Sequence, residues 1–230
     1  MKDPYAYEGT NVLKNKANIM DQKKLDDFET TLTSFEIIDI INNPFDVCKV
    51  NDIFKIHEKL FSEVYSWAGK ARTINIYKEE IVLSGLSVEY SDYGDITRDL
   101  DKIQKEMDSF DFVNSSKKEF VSKIVRIVSS IWKVHAFREG NTRTICVFLY
   151  LFLKHLNLKL NIDFIGIHSK YFRNALVLAS IGEYSEYNHL EEILKDSISK
   201  KIEIDNIEKY QTINGYELDK YKYNYHNIKK

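Results

Sequence analysis

Residues 135–144, His-Ala-Phe-Arg-Glu-Gly-Asn-Thr-Arg-Thr, place a strongly polar turn between two segments that must be buried. Before the turn, Phe120, Ile124, Val125, Ile127, Val128, Ile131 and Trp132 recur at the spacing of a helix with one face in a core. After it, Thr144 to Leu156 is apolar almost throughout. Two buried helices joined in this way dictate a helix-rich packing. They also carry His135, Glu139, Asn141 and Arg143 to a place where unpartnered polar groups are costly.

Gly140 allows backbone angles forbidden to other residues, and Asn141 tolerates them nearly as well, so the amides of residues 140 to 143 can converge into an anion nest. A helix starting near Asn141 or Thr142 adds the positive end of its dipole, and Arg143 adds a full charge. A phosphate suits that spot. Glu139 beside a polyphosphate suits Mg²⁺, which keeps several waters and takes one or two protein ligands. His135, with an unperturbed pKa of about 6.5, is able to accept a proton from a hydroxyl. Each residue also has a plainer reading: the histidine as a structural hydrogen-bonding group, the Gly-Asn pair as a turn or cap. It is their clustering that points to chemistry on a phosphate.

With only two prolines and eight glycines in 230 residues, the chain favours long helices over a turn-rich strand architecture. The predicted fold class is all-α, a helical bundle with helices near 21–42, 48–66, 93–110, 116–134, 142–157, 168–181 and 187–201. Pro44 closes the first, and Asp21 and Asn51 or Asp52 cap the first two. Between Thr73 and Tyr90 the pattern changes to Ile74, Ile76 and Ile81-Val82-Leu83 with Gly85 following, which predicts a short β-hairpin. Such a hairpin is either structural or an edge to which a target segment adds as a strand. The domain is taken as residues 1–201. Residues 202–230 form a polar tail carrying Tyr210, Tyr216, Tyr221, Tyr223 and Tyr225, packed or partly ordered.

A net charge of −2 gives no global field for nucleic acid or membrane, and no apolar stretch is long and charge-free enough to span a bilayer. Cys48 and Cys146 make no disulfide framework. Neither nucleic acid nor membrane is an expected partner. Without a signal-peptide core, the expected location is cytoplasmic, or outside by a signal-independent route. His57, His155, His168, His189 and His226 lack zinc-ligand spacing. Arg72 and Lys78, flanking the expected hairpin, either reach phosphate or lie as solvated surface cations.

The run His135 to Cys146 resembles the signature of the Fic family, His-x-Phe-x-(Asp/Glu)-Gly-Asn-Gly-Arg-x-x-Arg on a helix-loop-helix. Two further blocks resemble family segments: His57-Glu58-Lys59-Leu60-Phe61 through Tyr65-Ser66-Trp67-Ala68-Gly69-Lys70-Ala71-Arg72-Thr73, and Gly9-Thr10-Asn11-Val12-Leu13-Lys14-Asn15-Lys16. The resemblance implies transfer of a nucleoside monophosphate, AMP from ATP as donor, onto a Ser, Thr or Tyr hydroxyl of a target protein. It implies that His135 is the base, that Phe137 anchors the loop, and that Glu139 holds Mg²⁺ between the α- and β-phosphates. Arg138, Gly140, Asn141, Thr142 and Arg143 would bind nucleotide phosphate. Ile74, Asn75, Ile76, Tyr77 and Lys78 would form the flap that docks the target.

Two positions depart from the signature: Thr142 stands for its second Gly and Cys146 for its final Arg. Losing a guanidinium at a phosphate site removes a contact worth roughly 1.5–3 kcal/mol. Either another residue holds the γ-phosphate, the donor is held differently, or activity is weak. A same-fold transferase of UMP, phosphocholine or a phosphoryl group is the alternative, and a non-catalytic nucleotide- or partner-binding protein is a third reading. Many members of the family it resembles are restrained by a (Ser/Thr)-x-x-x-Glu-(Gly/Asn) helix in the same chain or on a small antitoxin. Only Ser199-Lys200-Lys201-Ile202-Glu203 comes near it in the tail, and control by an antitoxin or by self-association stays open.

Overall fold

The computed structural model describes residues 3–200. Among them are α1 (Gln22–Asn42), α2 (Asp52–Phe61), α3 (Ile96–Asp108), α4 (Lys117–Val134), α5 (Asn141–His155), α6 (Ile162–Ile167), α7 (Ser169–Leu178) and α8 (Asn188–Ser197). Strands are limited, in the described residues, to β1 (Leu158–Leu160) and β2 (Ile198–Lys200). They pair antiparallel, Leu158 opposite Lys200 and Leu160 opposite Ile198. The all-α class holds. The tail beyond residue 200 and the side chains of Ser199 to Glu203 lie outside the described residues.

Helix α4 is the axis, with α3, α5, α7 and α8 packed around it. It starts at a capping box, in which the Glu119 amide donates to Ser116 Oγ at 3.3 Å and the Ser116 amide donates to the Glu119 carboxylate at 3.0 Å. Ile124, Val125 and Trp132 on this helix are fully buried, as are Phe148, Leu149 and Leu153 on α5. Each such side chain contributes about 1.5–3 kcal/mol by leaving water. Helix α2 lies against α5, and α1 covers α2. The arm before α1 is pinned by Asn15, which donates to the Leu13 and Ile19 carbonyls and accepts the Ile19 amide.

The structure corrects the sequence reading in several places. Helix α2 is shorter than expected, because the Asp52 carboxylate accepts the Cys48 and Lys49 amides and makes residues 48–51 a turn before the helix. The last expected helix ends at Ser197, and the chain continues as β2. Neither α6 nor the β1–β2 pair was anticipated.

The hairpin expected over residues 73–90 is absent as a strand pair; the segment is extended chain around a 3-10 turn at Ile81–Leu83. Side-chain bonds stand in for the ladder. Asn75 donates to Asp92 at 2.7 Å and accepts the Tyr93 amide at 2.9 Å, and the Lys78 amide donates to Ser87 Oγ at 3.3 Å. The turn closes with Ser84 and Gly85 at positive φ and the Gly85 amide donating to the Glu80 carbonyl. Alternating apolar residues are spent on anchoring: Leu83 and Val88 enter the core while Ile81 is 89% exposed.

Candidate active site

The loop between α4 and α5 is built by its own residues and by one aromatic column beneath it. Helix α4 ends when His135 takes a left-handed conformation, φ 51° and ψ 54°, unusual for a residue with a side chain. Three bonds hold it there. The Trp132 carbonyl accepts the His135 amide at 3.0 Å and its ring Nδ1 at 3.2 Å, and Arg72 Nε donates to the His135 carbonyl at 2.8 Å. Asn141 then closes the loop, accepting the Phe137 amide at 3.0 Å and donating to the Phe137 carbonyl at 2.8 Å.

Gly140, with φ 82°, sits on the ring of Phe61, where an added Cβ would lie 2.3 Å from Cζ. No other residue fits. His57, buried in α2, donates from Nε2 to the Glu139 carbonyl at 3.0 Å and accepts the Gly69 amide on Nδ1 at 2.9 Å. Its ring stacks on Phe137 at 3.8 Å and Phe61 at 4.6 Å. Burial pulls its pKa down to about 4, so it supports the loop as a neutral ring.

A cavity of about 230 Å³ opens above this loop, lined by Lys78, His135, Glu139, Gly140, Asn141, Thr142, Arg143 and Arg173. The first amides of α5 have no intrahelical carbonyl to bond, and with the helix dipole they favour an anion. The Gly140 amide is already taken by Glu139 Oε1 at 3.0 Å, so the nest is narrower than the four amides expected. Thr142 Oγ1 accepts the Trp132 indole N–H at 3.0 Å, which turns its lone pair inward and leaves its O–H for the cavity.

His135 is 2% exposed, and its Nε2 has no hydrogen-bond partner. Because Nδ1 faces a carbonyl, the proton sits on Nδ1 and Nε2 carries the lone pair. Burial, reinforced by the Lys78 charge, holds the ring well below its ordinary pKa. The ring is also stacked on Tyr90 at 4.0 Å. Such a ring is neutral, with a free lone pair on Nε2. Glu139 lines the same cavity with a third of its side chain exposed, and Lys78 Nζ rests on its Oε2 at 3.0 Å. Burial opposes its charge, but Lys78 and the Gly140 amide outweigh that and hold the carboxyl down at about 2.

The remaining expected site residues divide. Arg143 is in the cavity wall, but its guanidinium pairs with Glu29 of α1 and donates to Thr33 Oγ1 at 3.0 Å. Arg138 lies outside this cavity. Its guanidinium clasps the Asp3 carboxylate at 2.7 and 2.9 Å, on the wall of a groove of about 710 Å³. Ile74, Asn75, Ile76, Tyr77 and Lys78 line that groove too, and Lys78 belongs to both spaces. Cys146 packs against the core away from the cavity, its thiol pushed up to about 12 by burial.

Arg72 is neither a phosphate ligand nor a solvated cation. It is buried and donates to the carbonyls of His135, Ile74 and Ser91, tying the loop to the root of the flap. His57, Glu29 and Arg173 were not picked out from the sequence as site residues. The partners that tie them to the site, Glu139 for His57, Arg143 for Glu29 and Glu80 for Arg173, lie 82, 114 and 93 residues away, so no local pattern gives them that role.

Residues 46–153 match the Fic/DOC family. A Sinorhizobium fredii protein named a probable protein adenylyltransferase, y4lH, is 30% identical over 186 residues, 80% of this chain and 91% of that protein. The chain belongs to the Fic/DOC family. The chain is also similar to the protein adenylyltransferase VbhT of Bartonella schoenbuchensis, 32% identical over 64% of this chain and 30% of that protein. Among solved structures, a Fic domain from Bartonella quintana with bound ADP shares the fold with a TM-score of 0.72 at 22% identity, covering 86% of this chain and 95% of that one. BepC of Bartonella tribocorum with bound AMPPNP gives 0.69 at 20% identity, covering 86% and 97%. At such identities these two speak for the fold alone.

Proposed function

We propose that this chain is a protein adenylyltransferase that moves AMP from ATP to a hydroxyl side chain of a target protein. One observation carries the reading: the buried His135 ring, whose Nε2 has no hydrogen-bond partner, lines a cavity that also holds the N-terminus of α5 and Glu139. A binding module gains nothing from a neutral base at that point. The names of the relatives, y4lH and VbhT, agree with it.

In this reading the target hydroxyl gives its proton to His135 Nε2, its oxygen bonds to the α-phosphorus, and the bond to the diphosphate breaks. The diphosphate leaves with the electron pair. Phosphate in the cavity raises the pKa of His135 toward neutrality by placing negative charge near the ring. The amides at the start of α5 and the Thr142 hydroxyl orient phosphate oxygens, and Arg143 contributes charge from the wall. The target lies in the groove along Ile74 to Lys78, where extended backbone is able to pair with an extended segment.

Glu139 fits as the Mg²⁺ ligand, being the one carboxylate in the described cavity wall and ionised at any ordinary pH. Bound there, Mg²⁺ would neutralise charge on the donor phosphates. Lys78 must leave Oε2 for the carboxylate to serve.

The test is transfer of label from ATP, in buffer with Mg²⁺, to proteins of a cell extract, comparing wild type with His135→Ala. Loss of roughly a hundredfold or more in rate, with ATP binding retained, is expected of a missing general base. Equal labelling by the two proteins would sink the assignment. Labelling from UTP and not from ATP would move it to another nucleotide.

A further inference from the structure

The signature's last arginine is Cys146 here, and that side chain does not reach the cavity. Another guanidinium does. Arg173, from α7, is in the cavity wall with Lys78, Glu139, Thr142 and Arg143. It is held in a fork. Its Nη1 donates to Glu80 Oε2 at 2.6 Å and its Nη2 to Glu80 Oε1 at 2.9 Å, while Tyr90 Oη donates to the same carboxylate at 3.3 Å.

The two partners differ sharply in exposure. The Glu80 side chain is 1% exposed and Arg173 is 38% exposed, so the carboxylate is the fixed anchor and the guanidinium keeps an open edge. An arginine has five N–H donors, and this pair uses two. The bidentate fork fixes the guanidinium plane in advance, so little side-chain entropy is lost when the remaining donors meet an anion. Tyr90 also stacks on His135, so the element that orients Arg173 also borders the base.

We propose that Arg173 is a phosphate-binding residue of this site, contacting the phosphates that leave, and that it stands in for the arginine missing at position 146. Glu80 and Tyr90 are its positioning residues. This rests on the adenylyltransferase reading and deepens it: the site prefers a nucleoside triphosphate or diphosphate to a monophosphate, and that preference comes from α7 rather than from α5. Because Glu80 lies two residues beyond the groove-lining stretch Ile74 to Lys78, seating the leaving phosphates also steadies the wall of the target groove.

The test measures binding of ATP, ADP and AMP, each with Mg²⁺, by calorimetry, independent of transfer. Removing Arg173 alone would strand a buried carboxylate, so the variant is Glu80→Gln with Arg173→Gln, checked by thermal melting against Glu80→Gln alone. The expected result is a folded double variant whose ATP affinity falls roughly tenfold to a hundredfold while AMP affinity stays within about twofold. Equal loss for ATP and AMP makes the pair structural and overturns the proposal, as does an unchanged ATP affinity. Wild type binding ATP with Arg173-dependent affinity but labelling no protein would leave this proposal standing and the transfer reading fallen. Wild type binding no nucleotide ends both.

Discussion

The loop at 135–144 and the flap at 73–90 both border the cavity, yet they are held by opposite kinds of interaction. The loop is fastened by buried, mostly uncharged contacts: Asn141 on both backbone groups of Phe137, Gly140 on the Phe61 ring, and His57 under Glu139. The flap is fastened at its working edge by charge, Lys78 on Glu139 and Glu80 on Arg173, with Arg72 at its root. Packed neutral contacts have one arrangement, whereas the Lys78–Glu139 pair, part-exposed at the cavity mouth, is exchangeable for a phosphate or a metal. In the proposed reaction a base must be placed once, and a docking edge must yield.

That contrast breaks most readily at Gly140. Gly140→Ala pushes a Cβ into Phe61 at a positive φ, and a loss of about 3 kcal/mol is expected, read as a large fall in Tm together with lost nucleotide binding. A fall confined to activity would mean that the loop is softer than its contacts imply.

Acid provides a second way in. The folded-state pKa of His57 lies near 4 against an ordinary 6.5. The unfolded chain therefore takes up this proton first, and the contribution is complete above pH 6.5 and lost as pH falls toward 4. The loss amounts to roughly 3 kcal/mol. His135, also depressed by burial, acts in the same direction. Denaturant unfolding at several pH values should show that slope in wild type and a shallower one in His57→Gln.

The smallest effect belongs to the flap. Lys78→Met removes a pair whose members are 25% and 33% exposed, for which a change of less than about 1 kcal/mol is expected. Hydrogen exchange at residues 74–80 should nonetheless quicken, while the loop at 135–144 stays protected. Equal quickening in both would erase the distinction between them.

The same contrast explains what was legible. In the loop, partners lie within a few residues of one another: His135 with Trp132, Asn141 with Phe137, Thr144 with Gly140. A contiguous run therefore conveys its own shape, and His135, Glu139, Gly140 and Thr142 meet in one cavity as their spacing suggests. In the flap, partners are distant: Arg72 with His135, Lys78 with Glu139, Glu80 with Arg173. Alternating isoleucines there were read as strands because nothing local told of Asn75 bonding to Asp92 and Tyr93. Arg138 turns from the cavity to a groove for the same reason, its partner being Asp3, 135 residues earlier.

By itself the sequence determined the helical class, through apolar periodicity in the segments around the turn, and the chemistry of the loop, through residue types that act on neighbours within one turn of helix. Only the tertiary structure decided which cations face the cavity above the loop. It placed Arg173 there, packed Cys146 against the core, turned Arg138 away to Asp3 and brought Lys78 onto Glu139. A charged side chain's role depends on which opposite charge or cavity lies within a few ångströms, and that distance is set by packing between helices, not by position along the chain.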